Sequence, residues 1–255
     1  MANQGQTKRN GKKTRSRSPE KKAQQFEKIL EVGKQLFQER GRDGFTLGGL
    51  ARRLGMNKNN LYNYVESKRE LWISIRQKCY EQYRNENREI IKQFDGTNIE
   101  TLLRIFEHFF KFAENDYAAF RMMHTIRAPP SDKKGPFESE YKQFAFLDGT
   151  TRLIQKAIDK GEIIEKNAAM LSFFMFSLLL GGSMVEWAMR EAEVTSNKEG
   201  KAVEEYLQFG GQNFTSREFR NYVLKKIEKG FTDPNLVVNE FNKKRNIPKL
   251  SKKSD

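Results

Sequence analysis

Residues 45–72 read FTLGGLARRLGMNKNNLYNYVESKRELW, and this stretch decides the fold. Thr46 precedes an apolar run at helical spacing, which predicts a short helix that Gly55 ends. Asn57 is placed to cap a third helix, predicted over 58–64, with Leu61 and Val65 on its inner face. Two short helices joined by a glycine turn have the spacing of a helix-turn-helix motif.

Three asparagines, Asn59, Asn60 and Asn63, stand on the outer side of this third helix. Asparagine is about 0.5–0.7 kcal/mol less favourable than alanine inside a helix. In a helix-turn-helix motif the second helix lies in the major groove, where an asparagine amide pairs with both N6 and N7 of adenine. The asparagines therefore predict an operator with A·T pairs; the alternative is a poorly formed, solvated turn.

The net charge of the 255-residue chain is +14, which suggests a polyanionic partner such as nucleic acid or an anionic membrane surface. Residues 1–22 carry eight basic residues against one acidic residue, and residues 241–255 carry six against one. Residues 1–17 read as a basic disordered arm and 234–255 as a basic tail. The arm either follows DNA phosphates or serves only solubility.

The chain is predicted to be all-α, because no run of period-two alternation occurs. Ser18-Pro19-Glu20 starts the first helix and Gly41 ends it. Ser67-Lys68-Arg69-Glu70 is a capping box that starts a helix running to about Phe94. Further helices are predicted over 99–114, 116–127, 137–160, 167–193, 199–210 and 216–230.

Residues 168–185 are uncharged and mostly apolar, which just reaches the length of a membrane-spanning helix. Serines and glycines within the run favour a buried or subunit-interface helix instead, so no membrane is expected. The single cysteine, Cys79, suits a reducing cytoplasm, and the polar N-terminus is no secretory signal. With two histidines and one cysteine, the zinc and Cys/His catalytic patterns fail, so neither an enzyme, a metal nor a cofactor is expected.

Residues 25–75 resemble the DNA-binding domain of the tetracycline-repressor (TetR) family of transcriptional regulators. The features that carry the resemblance are Ile29-Leu30, Leu36-Phe37, Gly41, Phe45-Thr46, Leu50-Ala51, Leu54-Gly55, Leu61-Tyr62, Tyr64-Val65, Ser67-Lys68 and Leu71. The resemblance implies a DNA-binding set of Thr46, Asn57, Lys58, Asn59, Asn60, Tyr62, Asn63, Tyr64 and Lys68. Within it, Thr46 and Lys68 would hold phosphates and Lys58, Asn59 and Asn60 would face bases. Tyr64 has core packing as its alternative, and Gly48 and Gly49 depart from the family in offering no contacting side chain.

The resemblance also implies a larger helical region that binds a small effector and forms a homodimer. An apolar effector is expected, with a fatty acid or acyl-CoA as an example, and the candidate ligand-binding residues are Phe106, Phe110, Met123, His124, Arg127, Phe144, Phe173 and Trp187. His124 and Arg127 would orient an anionic ligand; core packing or ordinary surface positions are the alternatives.

These expectations combine into a ligand-responsive repressor that releases palindromic double-stranded DNA when its effector binds. Its domains would be the arm (1–17), the helix-turn-helix domain (18–66), the effector-binding and dimerisation domain (67–233, with 67–95 as a linking helix) and the tail (234–255). Two alternatives are a helical ligand or lipid carrier without specific DNA recognition and a non-specific basic DNA-coating protein.

Overall fold

The computed structural model describes residues 18–130, 138, 141, 145–199 and 214–233. The helices are α1 (Pro19–Gly44), α2 (Leu47–Arg53), α3 (Lys58–Leu61), α4 (Lys68–Gln93), α5 (Asn98–Asn115), α6 (Tyr117–His124), α7 (Asp148–Asp159), α8 (Ala168–Glu199) and α9 (Ser216–Thr232), with a 3₁₀ turn at Ala145–Leu147. These ranges contain no β-strand, and the all-α prediction is confirmed.

The described residues form two compact units. The first comprises 18–75 with 128–130 and 138, and the second comprises 76–127, 141, 145–199 and 214–233. Helix α4 begins in the first unit and ends in the second.

The first unit is built around α1 and the start of α4. Phe37 and Phe45 stack with their ring centroids 3.9 Å apart, and both are buried. Gly33 allows α1 to approach α4, because a Cβ there would lie 2.8 Å from Ile75 Cδ1. Arg69 in the first turn of α4 donates to the Pro129 carbonyl at 3.1 Å, which holds the segment after α6 in this unit.

The second unit packs α5 against α7, α8 and α9. Thr97 with Glu100 and Thr215 with Glu218 form capping boxes that start α5 and α9. A buried ion cluster joins α5, α8 and α9: Arg220 donates to Glu186 at 2.9 Å and to Glu114 at 2.6 Å.

Several predicted helix boundaries are wrong. The predicted stop of the first helix is confirmed in part, because Gly41 takes a non-helical φ of 64° and interrupts α1, but helical residues follow it as far as Gly44. Helix α3 stops at Leu61, since residues 62–64 form turns with i to i+3 hydrogen bonds such as Tyr64 N–H to the Leu61 carbonyl (3.0 Å).

Two further helix boundaries, both after residue 130, differ from those predicted from the sequence. Helix α7 begins at Asp148, after the 3₁₀ turn at Ala145–Leu147, so the predicted helix 137–160 does not include this turn; most of its first eight residues lie outside the described residues. Phe146 lies in the turn, and its ring meets that of Tyr80 edge-on at 6.4 Å. Helix α8 extends to Glu199 instead of ending at 193. The prediction of a helix over 199–210 falls outside the described residues beyond Glu199.

Candidate nucleic-acid interface and effector site

The turn between α2 and α3 depends on Gly55, which has a φ of 63°. The N–H groups of Met56 and Gly55 close α2 by donating to the carbonyls of Ala51 (2.9 Å) and Arg52 (3.1 Å). Asn57 Oδ1 then accepts from the Asn59 N–H at 2.9 Å and caps α3. The predicted helix pair, its glycine turn and its caps are confirmed.

The outer side of α3 and the turn after it carries the predicted base-reading side chains. Lys58, Asn59, Asn60, Tyr62 and Asn63 are all exposed. Within the described part of the chain, the amides of the three asparagines form no side-chain hydrogen bond. Leu61 is fully buried on the opposite side and anchors the helix. The exposed side of α3 and of the following turn thus presents hydrogen-bond donors and acceptors, while Leu61 fixes the opposite side of the helix in the core.

Thr46, Tyr64 and Lys68, which belong to the predicted DNA-binding set, also have contacts inside the protein. Thr46 Oγ1 accepts from the Gly49 N–H at 3.0 Å, which leaves its hydroxyl proton to donate. Tyr64 is half-buried, and its ring lies nearly parallel to that of Phe26 at 6.2 Å, as the core-packing alternative expects.

Lys68 is the third of these residues. Its Nζ donates to the Arg42 carbonyl, and burial lowers the pKa of the ammonium group. An ammonium has three donors, so one bond to a carbonyl leaves two for a phosphate.

The glycines of α2 have different surroundings. A Cβ on Gly48 would meet nothing within 4 Å, whereas a Cβ on Gly49 would lie 3.0 Å from Thr46 Oγ1. Gly49 therefore leaves room for the cap of α2, while Gly48 presents bare backbone.

The residues predicted to bind an effector differ in their surroundings. Phe106, Phe110 and Met123 are buried in the second unit, where they pack against other core residues. A Cβ on Gly182 of α8, for example, would lie 3.0 Å from the Phe110 ring. Trp187 stacks on Tyr117 with the ring centroids 4.1 Å apart.

Two of the other predicted effector residues are exposed. Phe173 is 47% exposed on α8, and Arg127 is exposed after α6. Phe144 lies outside the described residues.

His124 lies among aromatic rings in the second unit. Both ring nitrogens are buried and have no hydrogen-bond partner among the described residues. The rings of Phe109, Phe120, Phe146 and Phe176 surround it at 5.1–5.4 Å. Burial, with a smaller effect from Arg76, lowers the pKa of His124 to about 3, so the imidazole is neutral at physiological pH.

A groove of about 520 Å³ opens between α4, α5 and α7 in the second unit. Its polar lining includes Tyr80, Arg84, Arg88 and Arg152, and none of these residues was singled out from the sequence. They come from two helices that are some 60 residues apart along the chain, and each one alone looks like an ordinary surface position. The sequence signal that could have indicated the groove is the pair Arg84 and Arg88, which lie four residues apart on one side of α4.

Comparison with known proteins identifies the first unit. Residues 29–75 match the family model described as bacterial regulatory proteins, tetR family. A sequence comparison with curated proteins gives no significant match.

The fold of most of the chain is similar to that of solved regulator structures. The Clostridium perfringens putative fatty acid metabolism regulator is 21% identical with a TM-score of 0.53, over 82% of this chain and 98% of the other. FadR from Bacillus subtilis in complex with stearoyl-CoA is 18% identical with a TM-score of 0.58, over 80% and 98%. AibR in complex with isovaleryl coenzyme A and operator DNA is 14% identical with a TM-score of 0.54, over 79% and 96%.

The match to the family lies on the same residues that build the glycine turn, the capped α3 and the start of α4. The all-helical architecture extends the likeness over about four-fifths of the chain. The first unit therefore carries a segment of the tetR family of bacterial regulatory proteins, residues 29–75.

Proposed function

We propose that this protein is a ligand-responsive repressor that binds a palindromic operator as a homodimer and releases it when an apolar effector binds. The observation that carries the proposal is the set of exposed amides on the capped helix α3 and the turn after it, which form no side-chain hydrogen bond among the described residues and lie inside the segment that matches the family. Asn59, Asn60 and Asn63 read bases, and Lys58 and Tyr62 lie beside them. Thr46, Tyr64 and Lys68 hold phosphates at the edges of the site, and Asn57 positions α3.

The dimer forms through the exposed side of α8. Met170, Phe173, Phe174, Met184 and Val185 are 44–54% exposed and recur at helical spacing along that side. Ser177 and Gly181 lie between them and are also exposed, so two helices can approach closely at the middle of the stripe. A second copy of the chain covers this apolar stripe, and the two-fold axis matches a palindromic operator.

A membrane is the other surface that could cover α8. Among the described residues, α8 is the one helix long and apolar enough to cross a membrane by length and composition, and 39% of its most apolar window is buried. We propose the subunit interface instead, because the buried side of the same helix packs against α5, α7 and α9.

The effector is a molecule with an apolar acyl chain, either a fatty acid or its acyl-CoA. This proposal is supported by the similarity to FadR in complex with stearoyl-CoA and to AibR in complex with isovaleryl coenzyme A. The second unit holds both a groove of small-molecule size and an aromatic core. Effector binding and DNA binding are then coupled through alternative conformations of the chain.

The domain roles follow the same plan. Residues 18–66 read DNA, 67–233 bind the effector and form the dimer through the linking helix 67–95, and the protein works in the cytoplasm without catalysing a reaction. The arm (1–17) and the tail (234–255) lie outside the described residues, and we propose that the arm follows DNA phosphates.

Selection of sequences from random duplex DNA tests the proposed function. We expect the full chain to enrich a palindrome whose half-sites contain A·T pairs. High affinity without enrichment would favour the DNA-coating alternative, and no retention of DNA would favour the ligand carrier. A chain without residues 2–17 should select the same palindrome with lower affinity and a flatter salt dependence.

A further inference from the structure

We propose that the groove between α4, α5 and α7 binds the phosphate-bearing end of an acyl-CoA effector, anchored by Arg84, Arg88 and Arg152. This inference rests on the proposed function and narrows its effector from an acyl chain in general to a coenzyme A thioester.

The charge of the groove favours a polyanion. None of the three arginines forms an ion pair within the part of the chain that the structure describes. Arg84 lies with its Cζ 5.9 Å from the centroid of the Tyr80 ring, and Arg88 donates to Asn85 at 3.3 Å. Of the described lining residues only Asp148 is acidic, so three positive charges face one negative charge.

These arginines differ from Arg190 and Arg220, which lie where α5, α8 and α9 meet. Arg190 and Arg220 are neutralised by Glu114 and Glu186. A guanidinium stays charged at all physiological pH values and presents paired N–H donors that fit phosphate oxygens. The unpaired guanidiniums of the groove are therefore available for a phosphate-bearing ligand.

The other residues that line the groove provide apolar surface for the acyl chain of the ligand. Ile91, Ile105, Phe146 and Leu153 contribute apolar surface, and Tyr80 and Tyr83 contribute phenols whose pKa values are raised by burial. Both phenols thus keep their protons; the phenol of Tyr83 is hydrogen-bonded to Asn87, and that of Tyr80 can donate to a ligand. The volume of about 520 Å³ lies within the usual range of roughly 300–1,000 Å³ for small-molecule sites.

An acyl-CoA satisfies both parts of the lining, because it joins an apolar chain to a head with several phosphate charges. A free fatty acid has the chain but a single carboxylate, and free coenzyme A has the phosphates without the chain. We therefore expect the groove to bind stearoyl-CoA with higher affinity than either stearate or coenzyme A.

Titration calorimetry of the purified full chain without DNA tests the subsite, with stearoyl-CoA, stearate and coenzyme A as separate ligands. The test variant is Arg84→Gln with Arg152→Gln. The control is Lys160→Gln with Lys166→Gln, which removes the same charge from exposed positions outside the groove lining. Thermal unfolding checks that both variants are folded, as expected for exposed side chains.

We expect the test variant to bind stearoyl-CoA roughly tenfold to a hundredfold more weakly, with a flatter salt dependence. Stearate binding should stay unchanged, and the control should bind all three ligands as the wild type does. Replacing the same arginines by lysine should restore part of the affinity, since the charge returns without the planar donors.

The proposal is overturned if the wild type prefers stearate to stearoyl-CoA or if the test variant keeps wild-type affinity. It is also overturned if the variant loses affinity for DNA alone, which would make the groove a DNA contact. Measuring operator release distinguishes a failure of this proposal from a failure of the proposed function. Arginine-dependent binding of stearoyl-CoA without operator release would contradict the repressor, whereas equal release from wild type and variant would contradict only the subsite.

Discussion

Asn60 presents its side-chain amide outward from α3 without a hydrogen bond in the described part of the chain. We expect Asn60→Ala to reduce the preference for adenine at one operator position by about 1–3 kcal/mol, the discrimination of a good bidentate pair. The melting temperature should not fall, because the side chain is exposed and supports no packing. Affinities of wild type and variant for the operator and for an operator with that base pair changed measure the loss.

The control for this prediction is Lys68→Ala, which should lower affinity for both duplexes alike because phosphates carry no sequence information. Loss of the bond to the Arg42 carbonyl should also lower its stability, so binding is compared well below the melting temperature. Equal weakening on both duplexes by Asn60→Ala would show that the amide does not read a base.

His124 makes folding sensitive to acid. Its pKa is about 3 in the folded chain, against an ordinary value near 6.5. Below about pH 6.5, His124 therefore binds a proton in the unfolded chain but not in the folded chain. The free energy of unfolding should therefore fall as the pH drops from 7 toward 4, by up to about 1.4 kcal/mol per pH unit from this residue. His124→Phe should remove that part of the loss.

Urea denaturation at pH 7 and pH 5 measures the effect of His124. The matched control is His108→Gln, since His108 has a partner at each ring nitrogen, Asn87 at 2.9 Å and Glu86 at 2.8 Å. The control should keep the acid sensitivity that His124 causes. If His124→Phe loses as much stability between the two pH values as the wild type, the buried imidazole is not its source.

Among the helices, α8 carries the subunit interface in the proposed dimer. Phe174 is 54% exposed in the middle of the apolar stripe, so Phe174→Glu would place a charge where two copies meet. We expect the variant to sediment as a monomer at micromolar concentration, where the wild type sediments as a dimer, and to bind a palindromic operator much more weakly.

Ile164→Glu is the matched control for α8, because Ile164 is also exposed, at 43%, but lies between α7 and α8 and outside the stripe. It should remain dimeric. A wild type that is monomeric at micromolar concentration, or a Phe174→Glu variant that remains dimeric, would contradict the proposed interface.

Local signals predicted the helix-turn-helix segment well. The caps at Thr46 and Asn57, the left-handed Gly55 and the buried Leu61 all depend on neighbours within a few residues, so the pattern alone defines them. The length of α3 was overestimated because Leu61 and Val65, both buried, keep helical spacing although the chain between them turns. Spacing alone does not distinguish a helix from a sequence of tight turns.

The second unit was harder to predict because its sites combine distant residues. Phe106 and Phe110 were selected as apolar side chains, but the pattern of one helix cannot separate core from pocket. The groove joins Arg84 on α4 with Arg152 on α7, and only the packing of three helices brings them to one opening. His124 is likewise neutral because it is buried among four aromatic rings, which come from different parts of the chain.

On the scale of the whole molecule, Arg69 connects the start of α4 to the segment that follows α6. It donates to the Pro129 carbonyl at 3.1 Å and lies 3.5 Å from the Glu138 carboxylate, all within the first unit. We expect Arg69→Met to keep operator affinity and to reduce the effect of the effector on it, because the link between α4 and this segment is lost. Operator affinity with and without stearoyl-CoA measures this change, and an unaltered response would contradict it.

The coupling of the two activities is tested most directly by adding stearoyl-CoA to the complex of the full chain with its selected operator at constant salt. Fluorescence anisotropy of a labelled duplex reports the bound fraction. We predict release of the operator at micromolar stearoyl-CoA, and no release by coenzyme A at the same concentration. An operator that stays bound while calorimetry shows the ligand bound to the protein would contradict a ligand-responsive repressor.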